Sequence, residues 1–306
     1  MALNADTLID RLHLKSQVTR WRVLAIVFGV LALLVILDRF SPHYSPMERN
    51  FIARLTFEGF IGDDKRAYEL IDEVAEDSHA KAVVVWLDTP GGSAVGGEEI
   101  FLRLRALSAK KPVVAVMRSI SASAGYMIAL GADRIFAREG TITGSIGVII
   151  ETAEITEMAK KLGIEPIIIK SAPLKASPSP FEKVTPESQK AVQDVVGDFY
   201  ARFVDMVVER RKLPRTRVLE LADGRVYSGR RAVDNKLIDA IGGEEDAIAW
   251  LQAEKKLTPD LEVRDVKVEE PENLLKSLTE SVAGKFFYNS RSGLDGLVSI
   301  WHPNLD

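Results

Sequence analysis

The stretch Pro112-Val113-Val114-Ala115-Val116-Met117-Arg118-Ser119-Ile120-Ser121-Ala122-Ser123-Ala124-Gly125-Tyr126-Met127-Ile128-Ala129 decides the fold. It opens as a near-continuous apolar, β-branched run, the signature of a strand buried on both faces. Three serines follow at alternate positions, and small residues then start a helix. A serine at such a strand-to-helix junction sits at the positive end of the helix dipole, and Ala124 and Gly125 leave its hydroxyl accessible. Serine is also a preferred helix cap, so each of the three has a purely structural use as well.

Outward from this stretch, strand-like and helix-like segments alternate. Short β-branched runs occupy 51–57, 82–87, 112–117, 134–137, 146–150 and 166–169. Helical patterns fill 65–74, 97–107 and 153–162, and a long helix spans 186–211 behind the cap Thr185. Shorter helices run on to about residue 254. Apolar strands separated by amphipathic helices predict an α/β fold, a mostly parallel sheet with flanking helices on both faces. One strand runs through Trp86, Leu87 and Asp88 into the turn Thr89-Pro90-Gly91-Gly92-Ser93, and a helix follows. Two adjacent glycines let a ligand approach the backbone N–H groups, and a turn at a helix N-terminus suits a phosphate or a developing oxyanion. Neither GxGxxG nor GxxxxGK[ST] occurs, so nucleotide binding has no support.

Composition narrows the chemistry. The chain has 306 residues with 40 Lys and Arg against 44 Asp and Glu, a net charge of −4, which disfavours general nucleic-acid binding. It is 46% hydrophobic, too apolar for a disordered protein. It has no cysteine, which excludes disulfides, thiolate catalysis and cysteine-ligated metals. The four histidines, His13, His43, His79 and His302, stand beside no motif, so a Ser-His-Asp triad is disfavoured. Lysine remains as a base for a nucleophilic serine, and Lys170 and Lys175 follow an apolar strand-like run. An ordinary lysine titrates near 10.4. Bringing one down by about three pH units costs roughly 4 kcal/mol, which desolvation among apolar neighbours supplies.

The N-terminal part is of another kind. The uncharged run VLAIVFGVLALLVIL at 23–37 covers about 22 Å as a helix, against a hydrocarbon core of roughly 30 Å. Trp21 suits the interface, and Arg22 and Arg39 can snorkel outward. No small-x-small cleavage site follows, which favours an uncleaved transmembrane signal anchor over a cleaved leader. Arg11, Lys15, Arg20 and Arg22 precede the run, so residues 1–22 are expected in the cytoplasm and the main domain across the membrane. A linker covers 38–50, the main domain 51–255, and a C-terminal extension 256–306. In the extension Leu274, Leu275, Leu278, Val282 and Phe286 could share one helical face.

Several segments together resemble the signal peptide peptidase A serine proteases in their short, single-domain form. They are GYMIA at 125–129, GADRIFA at 131–137, GTITGSIGV at 140–148 and DGRVYSG at 223–229. The similarity covers about 51–251 besides the anchor. It implies a ClpP/crotonase-like fold preceded by one N-terminal transmembrane helix, with a Ser–Lys dyad in which Ser123 is the nucleophile and Lys175 the general base. It implies that the Gly91 and Gly92 region, with Ala124 beside the nucleophile, forms the oxyanion hole and substrate edge. Glu139 stands where the family has proline, Ala124 where it has glycine, Met127 where it has a second aromatic, and Ala172-Pro173-Leu174 where it has Gly-x-Tyr. Neither dyad member is lost.

The implied activity is acyl transfer on signal-peptide remnants and other apolar peptides, with no metal or cofactor and no nucleic-acid partner. The implied location is a bacterial inner membrane, single-pass, with the catalytic domain on the extracytoplasmic side. The single-domain form implies a homo-oligomeric ring in which Ser123 and Lys175 can come from neighbouring subunits. Two other readings compete. A crotonase-like acyl-CoA enzyme shares the fold but explains neither an anchor nor the Ser123/Lys175 pair. A catalytically silent membrane scaffold takes the departures as decay.

Overall fold

The computed structural model describes residues 21–22, 26–29, 49–266 and 298–300. The chain divides into two units, Met1–Arg49 and Asn50–Asp306. In the first, residues 21–22 and 26–29 are helical, and Trp21, Ile26, Val27 and Phe28 are exposed. The rest of the expected anchor 23–37 lies outside the described residues, as do residues 1–20, most of the linker and the apolar pattern at 274–286. Among the described residues no helix is long and apolar enough to cross a membrane.

The second unit begins with β1 (Phe51–Ile61), α1 (Lys65–Glu76), β2 (Ala80–Ser93), α2 (Ala94–Ser108) and β3 (Val113–Ala122). Then come α3 (Ala124–Ala129), β4 (Arg134–Ala137), β5 (Ile142–Gly144), α4 (Thr156–Lys161) and α5 (Pro186–Arg211). The remainder is α6 (Arg215–Leu221), β6 (Val226–Ser228), α7 (Gly229–Asp234), β7 (Ala240–Ile241), α8 (Glu244–Lys255), β8 (Glu262–Asp265) and β9 (Val298–Ile300). Strand order along the sheet is β6-β5-β3-β2-β1-β8, with β4 between β3 and β7. The pairings among β1, β2, β3, β4, β5, β7 and β8 are parallel, while β6 and β9 add antiparallel. The partner of β3 changes along its length. Val114 to Met117 pair with β4, and Ile120, Ser121 and Ala122 pair with β5.

Alternation along the strands feeds two cores. Ala53, Leu55, Val83, Val85, Val113 and Ala115 face α1, α2, α3 and α5, whereas Ile52, Ala82, Val84, Val114 and Val116 face Ala247 and Leu251 of α8. Period-two side chains buried on both faces make the runs read as continuously apolar. Helix starts follow local chemistry: the Asp64 carboxylate accepts from the Arg66 N–H, the Ser93 hydroxyl from Gly96, and the Thr185 hydroxyl from Ser188.

Two expected strands do not form. Residues 166–169 make no regular strand, and Ile167 and Ile169 stand 89% and 94% exposed. A β-branched run becomes a strand only when it pairs with a sheet edge, and among the described residues this one pairs with none. In place of a strand at 146–150, the short β5 ends at Gly144, where positive φ at Gly144 and Ser145 turns the chain out of the sheet. The sheet also continues past Lys255, where the extension was expected to begin: β8 lies parallel to β1, and the Val266 N–H donates to the Arg54 carbonyl at 3.0 Å.

Candidate active site

The tips of β2 and β3 lie side by side, with Thr89 in register with Ser121. In a parallel sheet the carboxyl ends of adjacent strands are where ligands bind. Ser123 occupies this point, one residue beyond β3 and at the N-cap of α3. Its backbone is strained, at φ 55 and ψ −118. A non-glycine residue there costs of order 1–3 kcal/mol and persists where the surroundings over-determine it. The Ser123 N–H donates to the Gly144 carbonyl at 2.8 Å, and its own carbonyl accepts from Met127 at 2.9 Å. The side chain makes no capping bond to the helix, which sets it apart from the capping serine expected of an ordinary junction.

Neighbouring motifs explain how the elbow is held. Thr143 donates its hydroxyl to the Ser121 carbonyl at 2.7 Å, and Thr141 to the Arg118 carbonyl at 2.6 Å, tying β5 and its approach to β3. Tyr227 of β6 pairs with Thr143 and donates to the Leu221 carbonyl at 2.9 Å. Behind the elbow, Tyr126 is fully buried against Phe203 and donates to the Leu237 carbonyl at 2.8 Å. Burial pushes its phenol well above the ordinary tyrosine value.

In place of the expected turn, residues 89–93 continue as β2, and Gly91 and Gly92 lie near its end beside this elbow. Gly91 has φ 120, open to glycine and strained for other residues. A Cβ at Gly92 would lie 2.1 Å from the Ile61 carbonyl oxygen, so only glycine fits against β1. Ala124 is buried at the start of α3. A Cβ at Gly97 would come within 3.0 Å of the Ala124 Cβ and 3.3 Å of the Met127 sulfur, so the absence of a side chain at Gly97 leaves room for both departures from the family pattern. Beside the elbow a cleft of about 560 Å³ opens between residues 145–149 and α5, lined by Ile146, Val148, Ile149, Val196 and Tyr200 among others.

The two lysines differ. Lys170 is ion-paired with Glu182 and donates to the Pro173 carbonyl at 3.3 Å. Lys175 is exposed, and its amine has no partner among the described residues. Ser123, by contrast, is 1% exposed. His79 precedes β2 and is separated from Gly91 and Gly92 by that strand's whole length. Among the described residues no cluster of His, Cys, Asp and Glu could hold a metal ion. In the sequence Thr89 is only the residue before Pro-Gly-Gly, yet in the fold it is fully buried and bonded on two sides. Its only sequence signal is a hydroxyl residue immediately before Pro-Gly-Gly.

A mixed α/β sheet with flanking helices, and a serine on a strained strand-to-helix elbow beside a glycine-built strand end, together have the form of a serine hydrolase. The chain belongs to Peptidase family S49, whose profile matches residues 105–258, and it is an SppA-type serine peptidase. A chain of Synechocystis sp. carrying a provisional protease designation is 39% identical over 233 residues, which are 76% of this chain and 83% of that one. Serine protease SPPA, chloroplastic, of Arabidopsis thaliana is 30% identical over 75% of this chain and 34% of its own length. Protease 4 of Haemophilus influenzae is 32% identical over 76% of this chain and 39% of its own. The chain thus spans well under half the length of these last two relatives.

Proposed function

We propose that the chain is a membrane-anchored serine endopeptidase in which Ser123 is the nucleophile and Lys175 the general base. The observation that carries this reading is the strained elbow at Ser123 beside the glycine-built end of β2. The neutral Lys175 amine takes the Ser123 hydroxyl proton as the oxygen attacks the peptide carbonyl carbon. Loop amides at the end of β2 stabilise the tetrahedral oxyanion. On collapse the C–N bond breaks, and the protonated lysine gives its proton to the leaving amine. Water, deprotonated by the same lysine, then releases the acyl group.

The substrates are apolar peptides bound extended, signal-peptide remnants among them. Two features support this. Gly91, Gly92 and Ser93 already take up an antiparallel strand, β9 from the chain's own C-terminal part, so this edge accepts an extended chain. The cleft beside the elbow is lined mostly by apolar residues suited to an apolar side chain. The enzyme sits in a bacterial inner membrane, anchored by residues 23–37, with its catalytic domain outside the cytoplasm.

The base is presented to a second copy of the chain in a ring. Lys175 stands exposed on a segment that also leaves Ile164, Ile167, Ile168, Ile169 and Leu174 uncovered. A lysine base near pH 7 needs a dry surrounding, and apolar exposure of this extent marks an interaction surface. Ser123→Ala and Lys175→Ala should each abolish cleavage of an apolar peptide while leaving the oligomer intact. Mixing the two inactive variants and letting subunits exchange should restore part of the activity, because some sites then combine an intact serine with an intact lysine. Full activity in either single variant would overturn the dyad, and no recovery on mixing would put both residues in one subunit.

A further inference from the structure

We propose that Thr89 is a positioning residue for this site: its hydroxyl sets the Pro90-Gly91-Gly92 end of β2, where the oxyanion donors lie, against the Ser123 helix. This rests on the reading of Ser123 as nucleophile. The inference starts from two breaks in the sheet. The β1–β2 register shifts between Glu58 and Phe60, where Gly59 takes φ 68, and the β2–β3 register shifts between Leu87 and Thr89. Side chains make up for the ladder at this level. Asp88 Oδ1 accepts from the Ile120 N–H at 3.1 Å, bridging toward β3. On the β1 side, Thr89 Oγ1 donates to the Gly59 carbonyl at 2.5 Å and accepts from the Gly91 N–H at 3.0 Å.

Three consequences follow from that geometry. The Gly91 amide is directed onto Thr89, which fixes the peptide planes at this end of β2. This end of β2 is fixed to a strand thirty residues earlier in sequence, so it cannot drift with substrate binding. On its other side Thr89 touches the nucleophile's helix: a Cβ at Gly125 would lie 2.6 Å from Thr89 Cγ2. One fully buried side chain therefore meets both the glycine end of β2 and the first turn of α3. An oxyanion donor acts only if it is already in place, and removing one such donor costs about 10²–10³ in kcat.

The test compares Thr89→Val, which keeps the shape and removes the hydroxyl, with Thr89→Ser, which keeps both hydrogen bonds and removes the methyl. Peptide cleavage by Thr89→Val should show kcat reduced by about 10–100-fold with KM within about twofold, since a displaced donor is lost only in part. Thr89→Ser should recover most of the rate. Affinity for a peptide aldehyde, whose adduct with serine places an oxygen in the hole, should fall in Thr89→Val in step with kcat/KM. Affinity for an uncleaved peptide should not change. Should Thr89→Val lose its fold by thermal unfolding, Thr89→Cys, of similar size with a weak S–H donor, carries the same comparison. Wild-type kcat in the variant lacking the hydroxyl overturns the inference. So does a Thr89→Ser variant as impaired as Thr89→Val. Ser123→Ala measured alongside separates the two readings: if it is inactive while Thr89→Val is fully active, only the role of Thr89 falls, whereas an active Ser123→Ala overturns the nucleophile and this inference with it.

Discussion

At the scale of single residues, the site depends on atoms that are absent as much as on those present. Gly92 has no room for a Cβ, because the nearest atoms are the Ile61 backbone at 2.1–2.7 Å, and backbone cannot step aside as a flexible side chain can. Gly92→Ala should therefore destabilise the domain by about 3 kcal/mol, the upper part of the usual range for overpacking. Urea unfolding against the parent measures this, and a change within about 0.5 kcal/mol would contradict the packing described. The strand-to-helix elbow at Ser123 is legible in the sequence because the end of a strand and the start of a helix are local properties. The role of Thr89 was not legible, since its partner Gly59 is remote in sequence and the bulge that brings the two together is a feature of strand pairing.

At the scale of elements, the short helix α3 is held by what it packs against, because six residues are too few to be stable alone. Tyr126 supplies much of that anchorage through its buried hydroxyl on the Leu237 carbonyl. Tyr126→Phe leaves this carbonyl unpaired and should cost about 1–3 kcal/mol in chemical denaturation near neutral pH. The pH dependence has a definite sign. Burial raises the phenol's pKa in the folded state, so the neutral form is favoured there. This contribution is complete below the unfolded value near 10 and is lost as pH rises beyond it. The deficit of Tyr126→Phe against the parent should shrink when unfolding midpoints are compared between about pH 9 and 11. Most elements were readable in advance, α5 to the residue, since Thr185, Pro186 and the helical period are written locally. The run 166–169 was misread because apolar β-branched residues announce burial without saying what covers them.

At the scale of the whole molecule, the segment between β5 and α5 stands largely exposed. It carries Lys175 and a row of exposed isoleucines, while Ser123 is buried at the sheet. If a second copy covers this segment, Ile167→Glu with Ile169→Glu should dissociate the assembly in sedimentation velocity and reduce peptidase activity in parallel, with the domain's own unfolding little changed. An unchanged sedimentation coefficient would remove the segment from the interface.

The sequence by itself determined the alternation of strands and helices, the caps, the family motifs and the serine elbow. Each is written in periodicity or in side chains a few residues apart, where propensity and hydrogen-bonding reach suffice. The family motif already singled out Lys175, but only the tertiary structure paired Lys170 with Glu182, and only it directed the Gly91 amide onto Thr89. Both outcomes depend on which groups become neighbours once the sheet has formed. Ladder irregularities, close backbone approach and burial are properties of pairs of segments, and no single segment encodes them.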